Sequence, residues 1–308
     1  AYLDLARAQG ASGVAAESVR IAEDYAGQVG QAVEAGLAFK GDTYRATTQV
    51  ERNRLTQNQI REQQRLAASR LAQVLNLDPA VNLVPAGGEL APIRLVSSAR
   101  SLDSLVAEAT ATRPELKQSA AQLAAARKNR QGAIYGPLIP AVNGQAFYGG
   151  LGGGVGSPGP RDFGQSSDYA AGVSWRIGPG GLFDVGRIRA NDARVRTGEL
   201  ELERAHDEVT RQVVDGHTRI HSLAAQLRDV RRALGAADQA LKLARERRQF
   251  AVGEVLENIQ AEQDYTRSRL DYVNIISEHN KAQYALERAR GALVPEERPA
   301  RTTRRPGK

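Results

Sequence analysis

The stretch FAVGEVLE, residues Phe250–Glu257, is a short glycine-centred turn between two very long helical runs. Upstream of it, apolar and small residues keep the alternating four-three spacing of a coiled-coil seam, which must be buried against other helices. The seam comprises Val209, Val213, Gly216, Ile220, Leu223, Leu227, Val230, Leu234, Ala237, Leu241 and Ala244. No proline interrupts the run from Arg187 to Phe250, which at 1.5 Å per residue predicts a helix of about 95 Å. Such a length favours an extended helical protein over one globular core.

The composition excludes several kinds of site. There is no cysteine in the chain, so disulfides, thiolate metal sites and thiol nucleophiles are excluded. No run of eighteen apolar residues is present, so a membrane-spanning part would have to be built from strands. The chain also has no methionine, and we therefore expect that a segment before Ala1 has been removed.

The net charge of +7 comes mainly from arginine, which is common in proteins that bind nucleic acid or anionic surfaces. Within the helices, however, arginine alternates with Asp and Glu, as in residues 194–204, and this pattern is typical of a solvated helix face. Much of the excess lies in residues 293–308, where Pro, Thr and Gly predict a disordered basic tail. We expect no nucleic-acid partner, although binding through this tail is one alternative.

Helical patterns dominate the rest of the chain. Residues 1–36 predict one helix, and a second runs from Asp42, its expected N-cap, to about Asn76. Pro114 begins a further helix that ends near Tyr135. The predicted segments are a first long helical hairpin (1–78), an irregular connector with a short helix over 102–109 (79–111), a helix of a second repeat (112–137), a strand hairpin (138–178), a second long helical hairpin (179–292) and the tail (293–308).

Two segments alternate apolar and polar residues with a period of two, which predicts strands. They are Ala141–Tyr148 and Asp168–Ile177, separated by a glycine-rich loop over Gly149–Ser167. One face of the second strand is apolar and carries the only tryptophan, which suits a lipid-facing surface. The residues expected on that face are Tyr169, Ala171, Val173, Trp175 and Ile177.

The two long hairpins align as an internal repeat when Gly36 is placed over Gly253 and two residues are omitted after the second turn. Asp42 then matches Glu257, and Leu71 matches Leu286. The alternative is that any two alanine-rich amphipathic helices would match this well.

Several short motifs, in this order, resemble the TolC-like family of outer-membrane efflux channels over about residues 1–292. The motifs are Ala35–Leu37 followed by Asp42, Arg113–Leu116, Gly136–Pro140, Ser174–Ile177, Gly178–Gly186, Ala244–Arg247, Val252–Gly253 and Gln260–Gln263. The resemblance implies a mainly α fold with a β-hairpin. Long α-helical hairpins would form a periplasmic tunnel (α-barrel), and strands would be contributed to a trimeric transmembrane β-barrel in outer-membrane lipid.

The resemblance also implies a function and partners. Such a homotrimer is an exit duct for drug efflux or type I secretion, working with a periplasmic adaptor and an inner-membrane transporter. The adaptor would dock at the helical tips, at Ala35, Gly36, Leu37, Val252, Gly253 and Glu254. Family members have two strand hairpins per chain and this sequence has one. We therefore expect that a leading helix and a first hairpin precede Ala1.

Charged and polar residues beside the two tips are candidates for the gate and the tunnel lumen. They are Lys40, Asp42, Arg45, Glu257 and Asn258, together with Glu254. A gate requires ion pairs that break when helices part, and Asp42 or Glu257 with a neighbouring arginine could form one. The alternative is that these residues only solvate the tips.

Catalytic chemistry is not indicated, and neither a cofactor nor a metal is expected. His217 and His221 lie four residues apart and could bind a metal, but nothing resembling a zinc-protease motif accompanies them, so a solvated or inter-helix role is favoured. Gly154, Gly156 and Gly159 fit a dinucleotide-loop spacing, but no helix follows them. A soluble coiled-coil scaffold or membrane-shaping protein with a basic surface is the main alternative to a duct.

Overall fold

The structure is a computed structural model that describes residues 1–78, 80–85, 90–97, 100–152, 163–249 and 255–292. Its elements in chain order are α1 (Tyr2–Glu34), α2 (Lys40–Val74), α3 (Leu102–Thr112), α4 (Pro114–Tyr135), a 3₁₀ turn (Gly136–Leu138), β1 (Ala141–Gly152), β2 (Phe163–Ser174), α5 (Val185–Gln249) and α6 (Val255–Ala289). The chain forms two compact units, one of Ala1–Thr112 with Thr210–Lys308 and one of Arg113–Val209. The predicted tail over 293–308 lies outside the described residues.

The first unit contains the α1–α2 hairpin, whose turn is built around Gly36. This glycine has a φ of +74°, a value that side chains with a Cβ rarely adopt. The Leu37 amide donates to the Ala32 carbonyl at 2.8 Å, and the Gly36 amide donates to that of Val33 at 3.0 Å. These two bonds form a Schellman motif, which satisfies the last carbonyls of the helix. The glycine at the predicted tip is therefore required by the backbone.

Helices α2 and α6 have the same length and end in the same way. Each has 35 residues, and a shift of 215 positions superposes their first and last residues. The same shift relates Asn76 to Gly291, which both have a positive φ immediately after the helix. This agreement is what the predicted repeat requires.

The predicted N-cap of α2 was wrong, because the structure places Phe39 at the cap and Asp42 in the first helical turn. No side chain bonds to the free amides at this end. A carboxylate in the first turn still favours the helix, since it lies close to the positive end of the helix dipole.

Helices α1 and α6 pack antiparallel and join the two helical hairpins of the first unit. Near the start of α1, the Ser277 hydroxyl of α6 donates to the Leu3 carbonyl at 3.2 Å. Near the turns, the Tyr25 hydroxyl donates to the Val255 carbonyl at 3.3 Å. Two apolar clusters accompany them, one of Leu5, Ala8, Ala67 and Ala68, and one of Tyr25, Val29, Ala46 and Ile259. Many of these residues are alanines, which allow helix axes to approach closely.

Two buried amide side chains of α6 hold the irregular connector after α2. The Asn280 Oδ1 accepts from the Ile93 amide and its Nδ2 donates to the Ala91 carbonyl, both at 2.9 Å. The Gln283 Oε1 accepts from the amides of Leu95 and Val96, at 3.1 and 2.9 Å. A buried loop without such partners would leave backbone groups unsatisfied, at a cost of about 1–3 kcal/mol each. The buried side chains of Asn280 and Gln283 thus provide the hydrogen bonds that a neighbouring strand would otherwise give to the connector backbone.

The coiled-coil seam of α5 is buried towards both ends and half-buried in the middle. The buried members are Val209, Val213, Ile220, Leu223, Leu241 and Ala244. Leu227, Val230, Leu234 and Ala237 are half-buried, and Leu234 borders a cavity of about 690 Å³ in the first unit. At Gly216, the seam contacts α6 so closely that a Cβ would lie 3.2 Å from the Leu286 Cδ1 and 3.5 Å from its Cα.

In the second unit, α4 packs against the first part of α5. Arg127 pairs with Glu199 at 2.9 Å, and Arg130 pairs with Asp192. Helix α4 begins and ends where the sequence predicts, because Pro114 occupies its first turn and Pro137 follows its end.

The side chain of Asp184 stabilises the turn that leads into α5. Its Oδ1 accepts from the Arg187 amide at 2.9 Å and its Oδ2 from the Gly180 amide at 2.7 Å. These backbone hydrogen bonds hold the pKa of Asp184 below its ordinary value. Gly178 and Gly180 have φ angles of +95° and +78°, which explains the glycines at this corner.

Strands β1 and β2 form an antiparallel hairpin in which Ala141 pairs with Ser174 and Gly152 with Phe163. Both strands continue into the predicted glycine-rich loop, whose described residues 149–152 and 163–167 are extended. The prediction that β2 reaches Ile177 was wrong, because the strand ends at Ser174. Ile177 instead forms an isolated bridge with Leu182. Cross-strand pairing, which a single sequence does not reveal, fixes these ends.

We expect the substitution Gly216→Leu to destabilise the helical unit, because a Cβ already contacts Leu286 closely and the larger side chain would overlap this buried residue. The expected loss is about 1–3 kcal/mol, measured as a lower apparent melting temperature. Gly235→Leu is the matched control, since a Cβ at Gly235 meets nothing within 4 Å. Equal effects of the two substitutions would contradict the close α5–α6 contact.

Candidate functional site

The α1–α2 turn presents exposed apolar side chains at one end of the first unit. Leu37 is 83% exposed and Phe39 is 76% exposed. Ala35 closes α1, and its backbone amide still donates into the helix. Leu37 and Phe39 thus place two exposed apolar side chains on a turn whose backbone is fixed by hydrogen bonds.

The second turn is described only on its two sides. Val252, Gly253 and Glu254, which the sequence assigns to adaptor docking, lie outside the described residues. On the flanks, the Arg247 Nη1 lies 2.8 Å from the Glu257 Oε1, so an ion pair connects the end of α5 to the start of α6. Glu257 is half-buried, and the pair therefore closes the hairpin just beside the turn.

The remaining gate candidates differ in their surroundings. Lys40 is exposed at the first position of α2. Asp42 pairs with Arg45 at 3.3 Å, but both lie on the same helix, so movement between helices does not break this pair. Asn258 was expected to line the gate or the tunnel lumen. In the structure this residue is only 6% exposed and lies in the core rather than on the surface of the tip.

The first turns of α2 and α6 lie at the same end of the first unit as the end of α1. Tyr25 and Val29 of α1 form one apolar cluster with Ala46 of α2 and Ile259 of α6, and Val33 and Val255 pack against it. The first turns of α2 and α6 are thereby held together. The residues that follow each predicted tip are therefore close together, whereas Val252–Glu254 lie outside the described residues.

A buried polar network lies behind the tips, and the sequence analysis missed it. The Asn53 Nδ2 donates to the Glu262 Oε1 at 3.2 Å and to the Ser18 carbonyl at 3.1 Å. The Gln49 Nε2 donates to the Asn53 Oδ1 at 2.9 Å, and the Gln263 Nε2 donates to the Gln49 Oε1 at 2.6 Å. Helices α1, α2 and α6 are therefore linked by hydrogen bonds between side chains and backbone.

Glu262 is the titratable member of this network. Its side chain is only 3% exposed, and burial raises its pKa to about 7, although the Asn53 hydrogen bond and the charge of Arg245 act in the opposite direction. The carboxyl is thus largely protonated in mild acid and becomes charged near neutral pH. A charge at this position weakens the packing of the three helices, because ions are poorly solvated in a protein core.

One sequence signal could have located this network. Asn258 and Glu262 are four residues apart, and Ile259 lies beside them, so polar residues occupy the buried face of α6. Polar residues at core spacing indicate a network, but their partners on α1 and α2 cannot be identified from α6 alone.

The β-hairpin has one apolar face formed by both strands. Cross-strand pairs place Val142 opposite Val173, Gly144 opposite Ala171 and Ala146 opposite Tyr169. Val142, Tyr169 and Val173 are exposed by 76%, 75% and 58%. The other face carries Asn143, Gln145, Phe147, Asp168, Ala170, Gly172 and Ser174. Of the five predicted lipid-facing residues, Tyr169, Ala171 and Val173 share one strand face, whereas Trp175 and Ile177 follow the strand and are also exposed.

Within the described ranges, none of the helices has the length and apolar character needed to cross a lipid bilayer.

We expect Glu262→Gln to stabilise the protein at high pH only. The unfolded carboxyl ionises near 4.5 and the folded carboxyl near 7. The folded state therefore binds more protons between these values, and the stability of the natural protein falls as the pH rises through them. The variant should be more stable by about 1–3 kcal/mol at about pH 8 and equal to the natural protein at about pH 4.5.

Thermal unfolding at the two pH values measures this difference. Glu62→Gln is the matched control, because Glu62 is exposed on α2. A gain for Glu262→Gln that is the same at both pH values would show that folding does not raise the pKa of this carboxyl, and would contradict the prediction.

Comparison with known proteins identifies relatives of this architecture. A family model described as "Outer membrane efflux protein" matches residues 105–292, which is more than half of the chain. Protein CyaE of Bordetella pertussis is 39% identical over 126 residues, which cover 41% of this chain and 26% of that protein. The chain therefore aligns with only about a quarter of this curated relative.

Solved structures share the fold at lower sequence identity. The outer membrane protein VceC of Vibrio cholerae superposes with a TM-score of 0.73 at 18% identity, over 94% of this chain and 67% of that one. The CmeC outer membrane channel of Campylobacter jejuni gives 0.77 at 11% identity, over 94% and 60%. The shared architecture is that of TolC-like channels, as the sequence motifs predict. From the matching family model we conclude that the chain belongs to the outer membrane efflux protein family, whose members lie in the outer membrane with a helical part in the periplasm.

Proposed function

We propose that the protein is a passive exit duct of the outer membrane, through which a periplasmic adaptor and an inner-membrane transporter export small molecules or a secreted polypeptide. Membership of the efflux family supports the duct, and the two antiparallel helical hairpins joined through α1 and α6 supply a wall for it. As a homotrimer, three such pairs of hairpins enclose the tunnel. No catalysis is involved, because the transporter provides the energy.

The observation that carries this proposal is the exposed apolar face of the β-hairpin. Val142, Tyr169 and Val173 are each more than half exposed in the monomer, on a face shared by both strands. A soluble scaffold has no use for such a face, which would promote aggregation in water. Outer-membrane lipid accounts for it, with the polar face of Asn143 and Asp168 turned towards water.

The tip is where we place the adaptor. Leu37 and Phe39 project from a turn fixed by the Schellman motif at Gly36. A preorganised turn loses little conformational entropy on binding, so exposed apolar residues there contribute efficiently to affinity. We include Val252, Gly253 and Glu254 in the same docking surface because they precede α6, whose first turn packs beside that of α2.

We assign the gate to the Arg247–Glu257 pair rather than to Asp42. This ion pair connects two helices, whereas the Asp42–Arg45 pair lies within one. Opening requires the helices at a tip to change their packing, and a contact between helices opposes that change, whereas a pair within one helix does not. The buried network of Asn53 and Glu262 begins one to two turns further along α6 and joins that helix to α1 and α2.

Ala171→Arg tests the membrane face. We expect this charge to cost about 2–4 kcal/mol in lipid, so that the full-length variant is depleted from the outer-membrane fraction. Ala170→Arg is the matched control, since the neighbouring alanine lies on the polar face and should tolerate the charge. Recovery of the unchanged protein in the soluble cytoplasm would overturn the duct and favour the scaffold.

Glu257→Gln tests the gate. We expect a single-channel conductance in planar bilayers several-fold above that of the natural full-length protein, because the α5–α6 pair no longer holds the tip closed. Asp42→Asn removes a carboxylate from the first turn of α2, as Glu257→Gln does from the first turn of α6, but it breaks no inter-helix contact and should leave the conductance unchanged. Equal conductance changes in both variants would indicate a general charge effect and contradict this gate.

A further inference from the structure

Helix α5 carries two histidines that the proposed duct does not use. His217 and His221 are one helical turn apart, and their Nε2 atoms lie 3.2 Å from each other. Their ring centroids are 4.5 Å apart, and the ring planes are tilted by 55°. Two histidines at this helical spacing can therefore direct the same ring nitrogen to one point in space.

The separation of the two nitrogens matches that of a metal chelate. Zinc–imidazole bonds are about 2.0–2.1 Å long. Two such bonds to nitrogens 3.2 Å apart enclose an angle of about 100° at the metal. This angle lies between the right angle of square-planar or octahedral sites and the tetrahedral angle. An ion can consequently be bound without a change of the helix.

The surroundings leave this position accessible, and the two nearest arginines on α5 are paired with carboxylates. His221 is exposed and His217 is half-buried. Arg219 pairs with Glu278 at 2.7 Å, and Arg211 pairs with Asp215 at 2.9 Å. These ion pairs compensate the positive charges that would otherwise repel a cation.

The number of protein ligands limits the kind of site. Among the residues that the structure describes, no three His, Asp or Glu side chains are grouped as a metal site would need. Two coordination positions are therefore filled by protein, and the others remain for water. Such a site favours metals with high intrinsic affinity for imidazole, among which Cu²⁺ binds most tightly in the divalent series.

We propose that His217 and His221 form a surface site for a divalent transition metal, with Cu²⁺ preferred over Zn²⁺ and with Ca²⁺ and Mg²⁺ excluded. The exclusion follows because the latter two ions require oxygen ligands. This site is independent of the proposed function, since it rests only on the geometry of α5.

Titration of the purified full-length protein with a Cu²⁺ salt tests the proposal by calorimetry and electron paramagnetic resonance. We expect one ion per chain at this site, with a spectrum showing two coordinated nitrogens. His221→Gln and His217→Gln should each weaken it by at least about tenfold, since loss of even an outer-shell partner of a metal ligand typically costs this much. Zn²⁺ should bind more weakly, and Mg²⁺ should produce no heat.

His206→Gln is the matched control, because this histidine is exposed on the same helix but eleven residues from His217. The double variant at His217 and His221 measures Cu²⁺ bound elsewhere, including at the amino terminus. Circular dichroism confirms that each variant is folded. Binding that is equal in the natural protein and the double variant, or that is reduced as much by His206→Gln, would overturn the proposal.

Discussion

The antiparallel packing of α1 on α6 is the interaction on which the helical unit depends. It connects two hairpins that are far apart in sequence, and its contacts extend from the Ser277 hydroxyl on the Leu3 carbonyl to the Tyr25 hydroxyl on the Val255 carbonyl. Alanines in the adjoining clusters allow the helices to lie close together. This packing brings the first turns of α2 and α6 to one end of the unit, where we place the proposed adaptor surface and gate.

Polar groups inside this packing have two different consequences. Asn280 and Gln283 satisfy backbone groups of the connector, so their burial is compensated by complete hydrogen bonding. Glu262 is compensated only while it carries a proton, because burial raises its pKa to about 7. The first pair therefore fixes the fold, whereas the carboxyl makes the region behind the tips less stable as the pH rises. The proposed duct opens at the tips, and a contact of such marginal stability suits a region that has to move.

Sequence alone predicted the elements that local rules control. Pro114 and Pro137 set the bounds of α4, and the positive φ of Gly36 explains the predicted tip. The seam of α5 followed from its spacing. The predictions failed where contacts with distant parts of the chain determine the structure. Strand β2 ends at Ser174 because its pairing with β1 ends there. Asn258 is buried because α6 packs on the other helices.

The sequence by itself determined that the chain is built from long helical hairpins with one strand hairpin, because periodicity, proline and glycine act within a few residues. The motifs also indicated the family. Only the tertiary structure decided that Glu257 pairs between helices while Asp42 pairs within one, and that Asn53 joins Glu262. Those contacts join residues up to 209 positions apart, and their partners are specified by the packing of whole helices rather than by any local pattern.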